Sequence, residues 1–231
     1  MRYAVISSVA GNDTCSVRRY DWVFDLPYRT LLPLKTQPKT GQLRIIGGRW
    51  RSRKLAFPDV EGLRPTPDRV RETVFNWLQS VVPGARCLDL FAGSGALGLE
   101  ALSRGAAHTV FVDQDAAAAR CVREHLTTLD TTDAQVIQAD VLAYLQGGVQ
   151  CFDVVFIDPP YRHYDLLQTC CARLEAGGWL ASRAYIYLET ESNRDVPPVP
   201  PNWKVIRSKK AGQVGYHLAL REAPNKLRSA E

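Results

Sequence analysis

An apolar strand that runs directly into glycines leaves this chain little choice of fold. Residues 87–98 read Cys-Leu-Asp-Leu-Phe-Ala-Gly-Ser-Gly-Ala-Leu-Gly, with a helix-forming run starting at Ala96. Glycines between a strand and a helix let backbone N–H groups approach a ligand at the positive end of the helix dipole. Gly93-x-Gly95-x-x-Gly98 satisfies the dinucleotide fingerprint, and Asp113 lies 20 residues past Gly93, at the end of the next apolar run. An acid there accepts hydrogen bonds from a ribose hydroxyl pair. This pattern implies a nucleoside-containing cofactor. Alone, it does not separate a nicotinamide cofactor from S-adenosylmethionine (SAM).

Around the loop the alternation is regular. Apolar runs at 87–91, 109–112, 135–137, 152–157 and 184–188 read as strands, with helical segments at 96–104, 116–129, 140–146 and 164–174. That is the pattern of an α/β fold with a doubly wound, mostly parallel sheet. Residues 203–208 and 214–220, joined by Ala211-Gly212, predict a closing antiparallel hairpin. A chain of 231 residues, 45% hydrophobic and 23% charged, holds one such core plus an appendage. No stretch of 18 uncharged apolar residues spans a membrane, and residues 1–15 make a poor secretory signal, so the expectation is a cytoplasmic protein.

The six cysteines (15, 87, 121, 151, 170, 171) contain no Cys-x-x-Cys, and the four histidines (108, 125, 163, 217) lack ligand spacing. Neither a disulfide scaffold nor a metal site is expected. Cys87 and Cys151 fall in apolar runs and read as buried thiols.

Charge is uneven. Residues 28–58 hold eight basic residues and no acid within a net charge of +5. A patch of one sign suits a polyanion, because each Lys or Arg laid on a phosphate releases counterions. Residues 1–40, with Pro27, Pro33 and Pro38 and no sustained period, read as a weakly ordered extension. Residues 41–62 read as a basic β-hairpin turning at Gly47-Gly48, with Arg44, Arg49, Trp50, Arg51, Arg53 and Lys54 as candidate nucleic-acid contacts. Trp50 either stacks on a base or packs the hairpin onto the rest. Residues 63–222 form the main domain and 223–231 a tail.

Thr66-Pro67 predicts a helix start, with Thr66 as N-cap and Pro67 in the first position. Val70, Val74, Trp77 and Leu78 mark its apolar face, and Arg69, Arg71 and Asn76 fall off it. The fourth strand ends in Asp158-Pro159-Pro160-Tyr161, at the carboxyl edge where open α/β sheets bind ligands. Two prolines hold the acid and the carbonyls rigid, and the tyrosine ring can lie against a flat substrate. His163 reads as a surface residue.

Asp-Pro-Pro-Tyr resembles the catalytic motif of class I SAM-dependent methyltransferases that act on exocyclic amino groups of bases. Four blocks, 43–55, 64–78, 88–101 and 155–161, narrow the resemblance to the bacterial 16S rRNA guanine-N2 methyltransferase family, small-subunit methyltransferase D. The likeness covers residues 41–222. It implies a class I methyltransferase fold, SAM as cofactor and 16S rRNA as substrate. By the same resemblance Asp89, Phe91, Gly93, Ser94 and Gly95 surround the methionine moiety. Asp113 holds the ribose, where many relatives carry Glu, and Asp140 lies beside the adenine amino group. The segment 64–66, with Thr66, closes over the cofactor, and Asp158, Pro159, Pro160 and Tyr161 receive the target base.

Three other readings stand beside this one. An adenine-N6 methyltransferase on DNA or RNA can share the motif. A nicotinamide-dependent oxidoreductase explains the glycines and leaves Asp158–Tyr161 without a role. A non-catalytic assembly factor conflicts with an intact motif. A chain of this size offers limited RNA-binding surface, so ribosomal proteins of a small-subunit particle are expected to help present the base to a monomer.

Overall fold

The computed structural model describes residues 40–58, 66–148, 150–159, 164–195 and 197–223. The expectations for residues 1–39, for Arg64 and Pro65, for Pro160, Tyr161 and His163, and for the tail from 224 lie outside them.

A two-stranded antiparallel hairpin comes first, β1 (Thr40–Arg44) with β2 (Lys54–Pro58). Its turn is wider than the Gly-Gly pair predicts. Nine residues connect the strands, and they include a 3-10 turn at Gly48–Trp50. Helix α1 (Asp68–Trp77) follows. Its N-cap is Pro67, one residue later than expected, with no side-chain cap, because the Thr66 hydroxyl is engaged elsewhere.

The main sheet collects β3 (Arg86–Asp89), β4 (His108–Asp113), β5 (Ala134–Gln138), β6 (Phe152–Ile157), β7 (Leu180–Glu191), β8 (Trp203–Ala211) and β9 (Val214–Glu222). Its order is β5-β4-β3-β6-β7-β9-β8. The first five strands run parallel, while β9 is antiparallel and inserted between β7 and β8. The strand order reverses between β3 and β6, and a crevice opens there at the carboxyl ends.

Helices cover both faces, as the near-continuous apolar strands demand. With α1 on one face lie α2 (Ala96–Ser103) and α3 (Ala116–Thr128); their side chains meet Cys87, Phe111, Val154, Phe156 and Tyr187. On the other face α5 (Tyr164–Ala176) and the short α4 (Val141–Tyr144) pack against Leu88, Val110, Val155 and Ile186. No helix among the described residues is long and apolar enough to cross a membrane.

The hairpin shares this core and belongs to the same compact unit, 38–231. Trp50 is 8% exposed and packs with Leu43, Leu55 and Leu102, so of its two readings the structure takes packing. Arg71, off the apolar stripe of α1, is nonetheless 1% exposed, facing Glu100 of α2, which is 0% exposed. Cys87 is buried, whereas Cys151 is exposed; these and the other described cysteines are free.

Candidate active site

Four strand ends build the site, and the residues at or just past them supply its chemistry. At β3 the chain turns through Gly93 and Gly95, with φ of 51° and 80°. The second is the left-handed N-cap of α2 and suits glycine alone. The buried Asp89 carboxylate accepts the Gly98 N–H at 3.0 Å and fastens the helix start to the strand. A side chain at Gly98 would collide with the Phe111 ring, so α2 lies close on β4 because that position is bare. Burial and the charge of Asp113 push the Asp89 carboxyl up to about 7, against the pull of the Gly98 and Phe91 N–H groups.

Asp113 stands at the end of β4 as expected. One oxygen accepts the Gly93 N–H at 2.8 Å and the other the Asp115 N–H at 2.9 Å. A carboxylate has about four acceptor positions, so lone pairs remain for a ligand hydroxyl. Ser94 is buried and its Oγ has no hydrogen-bond partner, an orphan polar atom within the glycine loop. Phe91 is half-buried beside it. Asp140, the exposed residue after β5, caps α4 by accepting the Ala143 N–H at 2.9 Å. Acids at the ends of β3 and β4 and just past β5 thus line one edge, together with the glycine loop. This donor and acceptor set fits a nucleoside carrying a charged, flexible arm.

Asp158 follows β6 and is half-buried, with Pro159 buried behind it. The Thr66 hydroxyl donates to Asp158 Oδ2 at 3.4 Å, so the residue expected over the cofactor meets the target motif. On β7, one position past the pair Ile157 and Leu188, stands Glu189, whose Oε2 accepts the Tyr187 hydroxyl at 2.7 Å. Burial, then the charges of Glu189 and Asp89, hold the Asp158 carboxyl well above the usual carboxylate range. Sequence reasoning missed Glu189. An acid closing a run of strand-forming residues, Tyr-Ile-Tyr-Leu-Glu, was the available signal.

The basic residues divide. Arg44 is paired with Asp68 at 2.9 Å. Arg49 lies over the Trp50 ring, 4.1 Å from its centroid, and reaches Thr131 and Asp133. Arg51, Arg53 and Lys54 are exposed with no ion pair to an acid among the described residues. They form a cationic tip on the hairpin, which is fixed to α2 by the Ile46 and Gly47 N–H groups, each donating to Glu100 at 2.8 Å.

A family model described as "Conserved hypothetical protein 95" matches residues 43–220. Ribosomal RNA small subunit methyltransferase D of Escherichia coli K12 is 50% identical over 184 residues, covering 80% of this chain and 92% of that protein. The protein of that name from Haemophilus influenzae is 43% identical, over 80% of this chain and 97% of its own. Among solved structures, yhhF of E. coli aligns with a TM-score of 0.75 and 48% identity, over 80% of this chain and 100% of that one. A 16S rRNA N2 methyltransferase of T. thermophilus, solved with AdoMet and guanosine, aligns at a TM-score of 0.56 over 80% of this chain and 50% of that one. At 19% identity it shares the fold alone.

Proposed function

The chain belongs to the conserved hypothetical protein 95 family, and from that membership and the site geometry we propose that it methylates a guanine of 16S rRNA at the exocyclic N2, using SAM. One observation carries the reading. The acid of the base-binding motif, Asp158, stands at the strand end next to Asp89 of the glycine loop, within its electrostatic reach. Methyl donor and acceptor sites therefore share one crevice.

SAM supplies an electrophilic methyl group on a sulfonium. The glycine loop with Asp89, Phe91 and Ser94 holds its methionine part, Asp113 its ribose and Asp140 its adenine side. The guanine N2 lone pair is delocalised into the ring and nucleophilic only when turned out of it. The Asp158 carboxyl and the Pro159 carbonyl accept the two N2–H bonds and turn the lone pair to the methyl group. Rate comes from positioning and from fixed charge. The guanine must leave its stack to be reached, and the family resemblance gives Pro160 and Tyr161 to its recognition. Arg51, Arg53 and Lys54 hold backbone phosphates. The enzyme works as a cytoplasmic monomer on a small-subunit particle, whose ribosomal proteins help present the base.

The experiment is transfer from labelled SAM to small-subunit particles from cells lacking the protein, followed by nucleoside analysis. N2-methylguanosine is the expected product. N6-methyladenosine would replace this reading with the adenine one, and no label on particles or naked 16S RNA would overturn it.

A further inference from the structure

The closing strands of the sheet carry a charge that the transfer just described does not use. Residues 196–221 contain Lys204, Arg207, Lys209, Lys210 and Arg221 and no acid. Arg221 is paired with Glu175 at 3.0 Å. The other four stand on β8, the outermost strand, and all four are exposed. None of them has an ion pair with an acid among the described residues. Charge of either sign keeps an edge strand from pairing with another chain. Here every charge has one sign, and Arg207, Lys209 and Lys210 fall together at the carboxyl end of the strand.

That end lies at the edge of the sheet where the crevice opens. β7 and β8 are both antiparallel to β9, so β8 runs the way the parallel strands do and its carboxyl end shares their edge. Lys209 stands opposite Tyr216, and Tyr216 opposite Glu189, which follows Leu188, the partner of Ile157. Asp158 and Lys209 therefore occupy one row across the sheet, three strand spacings or about 14 Å apart at the backbone. Glu191, which ends β7 at the same edge, is paired with Arg194 at 3.1 Å. The tip of the basic hairpin is elsewhere. The Trp50 N–H donates to Ser103, the last residue of α2, and Arg49 reaches Asp133 just ahead of β5, which puts the tip at the amino edge of the sheet. The eight residues of α2, about 12 Å of helix, lie between that tip and the glycine loop. Arg51 and Arg53 thus hold RNA away from the reacting base, and a phosphate close to that base needs a different cation.

We propose that Arg207, Lys209 and Lys210 form a second RNA-binding surface, which holds backbone phosphates of the strand carrying the target guanine on the β8 side of the crevice. This rests on the methyltransferase reading. A base turned out of its stack leaves its neighbouring phosphates outside the pocket, where the cations of β8 meet them. The Arg207 fork grips a phosphate through two N–H groups, and the two lysines add point charges. Such contacts fix the register of the RNA without reading its sequence. Side chains alternate along a strand, so Lys209 and Lys210 leave opposite faces of β8 and the surface wraps the edge. RNA is then held at two separate places, by the hairpin at the amino edge and by β8 at the carboxyl edge.

Equilibrium binding of the full chain to naked 16S RNA across a range of salt concentrations tests this. Arg207→Gln, Lys209→Gln and Lys210→Gln together should reduce the slope of log affinity against log salt by about 2, and by about 4 with Arg51, Arg53 and Lys54 neutralised as well. In the β8 triple variant KM for RNA should rise about tenfold, with kcat changing less and SAM affinity unchanged. An unchanged slope or an unchanged KM overturns the proposal. So does weaker binding to small-subunit particles with binding to naked RNA unaltered, which would give this edge to a ribosomal protein. Should the triple variant not fold, Lys209→Gln alone must reduce the slope by about 0.7, and no reduction overturns the proposal. Absence of methyl transfer by the wild type would instead sink the methyltransferase reading, with the salt slope still deciding the surface.

Discussion

The guanidinium of Arg71 lies 3.6 Å from the carboxylate of Glu100, and neither side chain touches water. Glu100 also takes the Arg104 Nε at 2.7 Å and the two hairpin N–H groups. Arg71 spends its remaining donors on Asp68 and on the carbonyls of Arg44 and Thr66. One buried ion pair thus binds the basic hairpin, α1, α2 and the Thr66 segment that reaches Asp158.

Removing one partner strands the other. Glu100→Ala is expected to lose about 3–5 kcal/mol of stability in urea unfolding, the usual result of leaving a buried charge unpaired. A loss below about 1 kcal/mol would mean that water replaces the carboxylate without difficulty.

Gly48 has a φ of +76° and presses on the Ser103 carbonyl, with no room for a Cβ. Gly48→Ala should therefore cost about 2 kcal/mol or more, from left-handed strain added to the collision. Gly84, with a φ of +78° and open space around it, is the control: Gly84→Ala carries the strain alone and should cost less. Equal losses would show that the hairpin yields freely to α2.

Neutralising Arg51, Arg53 and Lys54 together is expected to weaken RNA binding and reduce the slope of log affinity against log salt by about 2, for three lost phosphate contacts. An unaltered slope places the RNA elsewhere.

Asp158→Ala should abolish methyl transfer and change SAM affinity far less, since in this reading the glycine loop, Asp113 and Asp140 hold the cofactor. Turnover close to normal in a SAM-to-RNA assay would remove Asp158 from the reacting centre.

Asp89 ties stability to pH. Its folded value of about 7 stands above the 3.8 of an ordinary aspartate, so the folded chain holds the proton more tightly. This contribution is complete below the ordinary value and is lost as pH rises through the interval up to about 7, at about 1.4 kcal/mol per pH unit at most. Urea unfolding at about pH 5 and about pH 8 should find the wild type weaker at the higher pH and Asp89→Asn less affected. A wild type with no such difference would mean that Asp89 ionises freely.

Much of this architecture was legible in the pattern of apolar residues. The glycine loop, Asp113 at a strand end and the antiparallel close were all readable, because strand and helix periods and backbone freedom are local properties. What was left open or unseen involves partners distant in sequence. Arg71 falls off the apolar stripe of α1, and nothing local shows its burial until the fold brings Glu100 to it. Trp50 lies among arginines in the sequence and among leucines in space. Glu189 escaped because the strand was read to end at Leu188, whereas pairing with β9 carries β7 on to Glu191.

That pairing also sets the order in which a working molecule can arise during synthesis. β9 is the last described strand to be made, yet it stands inside the sheet, with β7 on one side and β8 on the other. Until residues 214–222 have left the ribosome, β7 is an open edge and Glu189 has no β9 neighbour to screen it from water. A nascent chain that already has its glycine loop and its Asp158 still lacks the strand that covers β7 beside them. Activity therefore arrives only once β9 has joined the sheet.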